Sequence, residues 1–154
     1  MSRIVRSALV PYPADAMFGM VADVERYPAF LPWCANARIL EQRNDGLDAR
    51  IDLRFMGVEQ QFSTRNRHER PERILMQLLD GPFEHLKGAW HFEPLYAADP
   101  ESGPQPVGTR VGLMLDYRLR SGAFAKLFAP AFNRIAAEMM DAFLARADAL
   151  YAPR

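Results

Sequence analysis

Few side chains in this sequence have the types and spacing that enzymatic or metal chemistry requires. The three histidines lie on separate segments, at positions 68, 85 and 91, whereas a metal site needs ligands that converge on one point. Cys34 is the single cysteine, and no neighbouring base is placed to activate it. Asp48 and Asp52 fall on the solvent face of a predicted strand, where solvated charge is the default. We therefore expect no catalytic residue, no metal and no cofactor.

A second group of side chains is suited to binding an apolar molecule. Wound as a helix, residues 121–151 separate into a polar side and an unusually wide apolar arc. Such a helix needs a broad concave apolar surface to lie against, and a sheet curved around it can leave a cavity. The side chains predicted to line this cavity are Phe55, Phe62, Trp90, Phe92, Leu115, Ile135, Met139 and Phe143.

Arg146 projects near the middle of the same apolar arc. One interpretation is that its stem packs on the core while its guanidinium reaches water. The other is that it provides a polar handle inside the cavity, and we therefore include it among the candidate ligand-binding residues.

The segment YPAFLPW at residues 27–33 is unusually aromatic for a stretch that contains two prolines. It is either a plug that closes one end of the core or the rim of a ligand entrance. The side chains predicted at this cavity mouth are Tyr27, Phe30, Leu31, Trp33 and Phe83.

Hydrophobic periodicity then predicts the elements that must position these residues. The predicted strands cover residues 3–10, 37–42, 48–55, 58–69, 74–79, 86–95 and 109–120, with short helices at 14–21 and 23–27. One face of strand 58–69 begins apolar at Val58 and becomes polar at Thr64 and Asn66, which is unusual for a core strand. Residues 99–108 are rich in Gly and Pro and are predicted to form a loop. Pro130 is expected either to kink the last helix or to begin its main part.

The element order indicates an α+β fold with a single domain over residues 1–154. A curved antiparallel sheet of about seven strands wraps around a long C-terminal helix, and two short helices follow the first strand. The chain of 154 residues, with 49% hydrophobic and 25% charged content, is ordinary for a soluble globular protein.

The formal net charge is zero, so there is no global electrostatic attraction to nucleic acid or to an anionic membrane, and we expect no DNA partner. The N-terminus lacks the apolar run of a signal peptide, and no stretch approaches the roughly 20 apolar residues that span a membrane. These features favour a cytoplasmic protein, with peripheral contact at the inner membrane left open.

Several stretches resemble a known family. They are SALVPY at residues 7–12, DVERYPAFLPWC at 23–34, FSTRN at 62–66 and DGPFEHLKGAWHF at 80–92. Together with the last helix they resemble the coenzyme Q-binding and ribosome association toxin (RatA) branch of the polyketide cyclase/dehydrase superfamily. This resemblance implies the START/Bet v 1-like helix-grip fold.

Three functional hypotheses follow. The first, and favoured, is non-enzymatic binding or transport of a hydrophobic small molecule, a quinone or lipid, with the resemblance naming ubiquinone and a role in respiration. The second, also implied by the resemblance, is a toxin that binds the large ribosomal subunit and blocks subunit association. Its support in the sequence is a group of basic residues on the wet sheet face: Arg50, Arg54, Arg65 and Arg67. The third is a cyclase or dehydratase, which the absence of acid–base pairs disfavours.

Overall fold

The computed structural model describes residues 1–153, and the side chain of Phe124 lies outside that description. Its elements follow the order β1, α1, a short 3₁₀ helix, β2 to β7 and α2. The strands are β1 Ser2–Val10, β2 Cys34–Arg43, β3 Gly46–Phe55, β4 Val58–Glu69, β5 Arg73–Asp80, β6 Phe83–Asp99 and β7 Gly103–Leu119. The helices are α1 Ala14–Ala22, the 3₁₀ helix Val24–Ala29 and α2 Ala123–Tyr151.

The seven strands form one antiparallel sheet in the order β1-β7-β6-β5-β4-β3-β2. Strands β2 to β7 are therefore a meander, and β1 adds to the free edge of β7, where Ser2 pairs with Tyr117 and Val10 with Thr109. The predicted α+β architecture, with a curved sheet around a long C-terminal helix, is confirmed.

Alternation along the strands explains where the core lies. In β7, Val111, Leu113, Leu115 and Tyr117 are buried in the core, as a period-two pattern with one apolar face predicts. On α2, residues at helical spacing, among them Phe132, Ile135 and Phe143, are buried against the sheet. Among residues 1–153, no helix has the length and apolar character needed to cross a membrane.

The predicted loop over residues 99–108 is wrong. Strands β6 and β7 continue through this region and pair from Leu95 with Gly108 to Asp99 with Gly103. Their outer ends extend beyond the last pairs of β5 and β1, at Arg73–His91 and Val10–Thr109. This part of the hairpin has no further strand on either side, and prolines, which cannot donate to a ladder, are tolerated on such free edges.

Helix α2 runs without interruption from Ala123 through Pro130 to Tyr151. Pro130 therefore does not begin the helix. It is exposed, so its ring meets solvent rather than the core.

Candidate functional site

An apolar cavity of about 80 Å³ lies between α2 and the concave face of the sheet. Six side chains predicted to line it do so: Phe62, Trp90, Leu115, Ile135, Met139 and Phe143. They come from β4, β6, β7 and α2, so the cavity is formed only when the sheet closes around the helix. The periodicity of each element fixes which of its residues face inward.

Three predicted lining residues lie elsewhere. Phe92 is buried beside the cavity, stacked on Trp90 with the ring centroids 6.3 Å apart. Phe55 is half-buried at the end of β3, with the guanidinium of Arg134 at 5.9 Å from its ring. The guanidinium of Arg146 lies 5.1 Å from the ring of Phe30 and is not part of the cavity wall. It acts as a cation–π partner of the 3₁₀ segment rather than as a polar handle inside the cavity.

The five residues predicted at the mouth do not surround one opening. Tyr27 and Phe30 each pack edge-to-face on Phe143, with centroids 5.3 Å apart. Phe83 instead packs on Phe132 at 4.9 Å, roughly 16 Å further along α2 at about 1.5 Å per residue.

The remaining two mouth candidates, Leu31 and Trp33, are buried, and Trp33 and Tyr27 line the cavity. The Tyr27 hydroxyl donates to the carbonyl oxygen of Val21, and burial raises the pKa of this phenol. Residues 27–33 thus close one end of the cavity with packed aromatic rings.

Sequence reasoning did not select the polar part of the cavity wall. Thr64 donates from Oγ1 to Oδ1 of Asn66 at 2.8 Å, and both buried side chains line the cavity. The sequence feature that could have identified these two residues is the face of β4 that begins apolar at Val58 and becomes polar at Thr64 and Asn66. A buried polar group in an apolar wall is costly unless it is hydrogen-bonded, and here the two residues satisfy each other in part.

The cavity is small for a ligand site. Pockets that enclose small molecules usually measure about 300–1,000 Å³. Binding of a quinone-sized molecule would therefore require wall side chains to move.

The solvent face of the sheet carries ion pairs rather than free cations at the four predicted basic positions. Arg50 pairs with Asp52 at 3.0 Å, Arg54 with Glu59 at 2.8 Å, and Arg67 with Glu69 at 3.0 Å. The fourth, Arg65, pairs with Asp48.

The expectation that Asp48 is solvated is wrong, because its side chain is 8% exposed. It accepts hydrogen bonds from Arg65 at 3.0 and 3.2 Å and from Arg43 at 2.7 Å. These contacts, that of Arg65 foremost, lower the pKa of Asp48 to about 2. Its carboxylate therefore organises two arginines on the outer face.

The reactive side chains considered from the sequence are not assembled into a centre. Burial raises the pKa of the Cys34 thiol to about 11, so the reactive thiolate is scarce at neutral pH. Within residues 1–153 no cluster of three or more His, Cys, Asp or Glu side chains could hold a metal ion. His68 packs edge-on against Phe18 at 5.5 Å, and burial lowers its pKa.

Comparison with known proteins places this geometry in context. Residues 10–144 match the family described as polyketide cyclase / dehydrase and lipid transport. Over 154 residues the chain is 38% identical to the ribosome association toxin RatA of Escherichia coli (strain K12), covering 100% of this chain and 92% of that protein. It is 22% identical over 146 residues to the mitochondrial coenzyme Q-binding protein COQ10 homolog B of Xenopus laevis, covering 94% of this chain and 57% of that one.

A solved structure confirms the predicted helix-grip fold. The Zhui aromatase/cyclase of Streptomyces sp. R1128 superposes with a TM-score of 0.78 at 19% identity, covering 98% of this chain and 96% of that one. At this identity the superposition is evidence for the fold alone.

Proposed function

This chain belongs to the polyketide cyclase / dehydrase and lipid transport family, and from that membership we propose that it is a binding protein, not an enzyme, whose partner is the ribosome. It would bind the large subunit in the cytoplasm and block association with the small subunit. The observation that carries the proposal is the 38% identity, spread over all 154 residues, to a protein named ribosome association toxin. The match extends over 100% of this chain and 92% of that protein, so it is not confined to one segment.

The charge pattern indicates what kind of contact this would be. With a net charge of zero, the chain is not drawn to ribosomal RNA by its overall field. Binding must then depend on a local surface, and the outer face of the sheet, with its ordered ion pairs, offers one.

Co-sedimentation with purified subunits tests the proposal. The chain is mixed with isolated large or small subunits and centrifuged through sucrose at constant salt, since phosphate contacts depend on salt. We expect it to travel with the large subunit and to reduce the peak of associated ribosomes. Failure to travel with either subunit would overturn the proposal.

A second function, binding of a hydrophobic small molecule, is favoured by the apolar cavity with its hydrogen-bonded Thr64–Asn66 pair. A protein named for coenzyme Q binding is a distant relative. Such a pair could accept or donate a hydrogen bond to a carbonyl or hydroxyl group on an otherwise apolar ligand. The ligand would displace wall side chains, because about 80 Å³ is available.

Equilibrium dialysis with a short-chain ubiquinone analogue tests this second function. Met139→Trp places a much larger side chain in the cavity, at a typical cost of about 1–3 kcal/mol where packing is tight, and should abolish binding. Met140→Leu is the matched control, since Met140 is buried on the same helix but is not in the cavity wall. Equal binding by both variants, or none by the unaltered chain, would exclude the cavity as the site.

A further inference from the structure

A larger depression, of about 600 Å³, lies on the outer face of the sheet where β5 and β6 separate. It is lined by Arg65, Arg67, residues 75–78 and residues 84–89, and we call it the outer cleft. Pairing between β5 and β6 ends at Gln77 and Lys87. Beyond that point β5 stays with β4 as far as Asp80, and β6 joins β7 from Phe83.

The separation is fixed by the core rather than by a loose turn. Phe83 is buried against Phe132 at 4.9 Å and Phe62 at 5.7 Å. Gly81 lies so close to Phe62 that a Cβ added to it would be 2.6 Å from the Phe62 Cβ. The turn between β5 and β6 is therefore drawn toward α2, which leaves the outer cleft behind it.

Three cations line the outer cleft. Arg65 is held by both carboxylate oxygens of Asp48, and Arg67 by Glu69. Lys87 makes no direct ion pair among residues 1–153, since its cross-strand neighbour Asp116 is bound by Arg3. Arginines oriented in advance by carboxylates lose less side-chain entropy on binding an anion.

The one acidic side chain in the cleft lining is Glu84, and it faces Arg118 at 3.9 Å. Within the lining, Arg65, Arg67 and Lys87 outnumber Glu84. Asp48 and Glu69, which bind the two arginines, are outside the lining, so the cations face the opening and favour an anionic occupant.

The floor of the cleft is apolar. Leu75 and Ala89 lie opposite each other in the lining, and the register continues this apolar row beyond the cleft through Met114 to Val5. The next register position carries Lys87, Gln77 and Arg65. An apolar row next to a cationic row is unusual on a wet sheet face, where alternating polar residues are the rule.

We propose that the outer cleft binds single-stranded RNA, with phosphates at Lys87, Arg65 and Arg67 and an unstacked base or ribose on the apolar floor. The inference rests on the proposed ribosomal function and names the surface and chemistry of that contact. Single-stranded nucleic acid is bound by a cationic groove that follows the backbone together with a surface for the bases, which is usually aromatic. Here the aliphatic side chains of Leu75 and Ala89 would provide that surface. A cleft of about 600 Å³ falls within the range of ligand sites.

Fluorescence anisotropy with a labelled eight-nucleotide uridine RNA tests the proposal directly. Three phosphate contacts predict that affinity falls up to about 18-fold between 50 and 200 mM salt, from a slope of roughly −0.7 per contact. Lys87→Gln and Arg67→Gln should each remove one contact and reduce this ratio to about 7-fold. Circular dichroism confirms that each variant is folded.

Arg54→Gln is the matched control. Arg54 lies on the same sheet face in an ion pair with Glu59 and is not in the cleft lining. The affinity of this variant for RNA should therefore fall between 50 and 200 mM salt by the same factor as that of the unaltered chain. Absence of RNA binding, or equal ratios for all variants, overturns the proposal. The proposal is also overturned if the cleft variants lose binding to phosphatidylglycerol vesicles, while Arg54→Gln does not, and all variants bind RNA as the unaltered chain does.

Sedimentation of the same variants separates this inference from the proposed function. If the unaltered chain and the cleft variants travel equally with the large subunit, the ribosomal function stands and the cleft is excluded as its contact. If the unaltered chain binds RNA through the cleft but does not travel with ribosomes, the proposed function fails and the RNA site stands.

Discussion

The hydrogen bond between Thr64 and Asn66 is the residue-scale feature that most distinguishes the cavity from an ordinary core. Replacing Thr64 by valine keeps its shape but removes the hydroxyl that donates to Oδ1 of Asn66. We predict that Thr64→Val lowers the free energy of unfolding by about 1–3 kcal/mol, the cost of a buried polar group that loses its partner. Urea denaturation measures this loss.

Ser63 provides the control for that substitution. It is the neighbour of Thr64 on β4 and points to the opposite face of the sheet. Ser63→Ala should change the free energy of unfolding by less than about 0.5 kcal/mol. Equal losses for the two variants would mean that the buried hydrogen bond contributes nothing specific.

The buried carboxylate of Asp48 predicts how the stability of the fold depends on pH. Arg65 and Arg43 lower its folded pKa to about 2, from an ordinary value of 3.8. Because the folded value is the lower one, the ionised carboxylate stabilises the folded state above the ordinary pKa. That stabilisation is lost as the pH falls through about 2. The melting temperature of the unaltered chain should therefore fall more steeply on acidification from about pH 5 to 2 than that of Asp48→Asn.

Thermal unfolding followed by circular dichroism provides this comparison. Glu59→Gln serves as the control, since the Arg54–Glu59 pair is exposed on both sides and such pairs contribute little. Parallel curves for the unaltered chain and Asp48→Asn would contradict the prediction.

At the scale of elements, Pro130 is the clearest departure from local preference. It lies inside the continuous helix α2 and is exposed. An interior proline costs about 3 kcal/mol relative to alanine, because it lacks an N–H group and clashes with the preceding turn. We predict that Pro130→Ala raises the free energy of unfolding by up to about 3 kcal/mol, measured in urea.

The converse substitution tests the same physics. Ala145 is an exposed residue further along α2, and Ala145→Pro should be destabilising by at least about 3 kcal/mol. A neutral or destabilising Pro130→Ala would show that the helix has adapted its geometry to the proline.

The hairpin of β6 and β7 shows where reasoning from local sequence fails. Pro104 and Pro106 predict a loop, because proline removes a ladder hydrogen bond. Both residues nevertheless belong to β7 and lie opposite Ala98 and Tyr96. The pattern cannot tell a loop from a strand whose outer edge is free, since only the tertiary arrangement decides which N–H groups need a partner.

At the scale of the whole molecule, periodicity was sufficient for the fold but not for the site. Alternation along β4 and β6 and the apolar arc of α2 indicate which side chains face inward, so Phe62, Trp90 and Phe143 could be placed in the cavity wall. Periodicity does not indicate which residues of the sheet and the loops pack at which position along the axis of α2. Phe83 and Phe30 are therefore predicted at one mouth although they pack on Phe132 and Phe143, which lie roughly 16 Å apart along α2.

The outer cleft illustrates the same limit. Arg65 and Arg67 lie close together on β4, whereas Lys87 lies on β6, separated from them in the chain by β5. They share one surface because the register places Arg65 opposite Gln77 and Gln77 opposite Lys87, the last pair before β5 and β6 separate. No local pattern reports where two paired strands separate.

Light scattering during subunit association measures the proposed function most directly. Purified small and large subunits are mixed with increasing amounts of the chain, and the scattering rise reports formation of associated ribosomes. We predict that the rise decreases as the chain occupies the large subunit, with half the effect at the concentration that gives half-maximal co-sedimentation. A chain that saturates the large subunit and leaves the scattering rise unchanged would contradict a role in blocking subunit association.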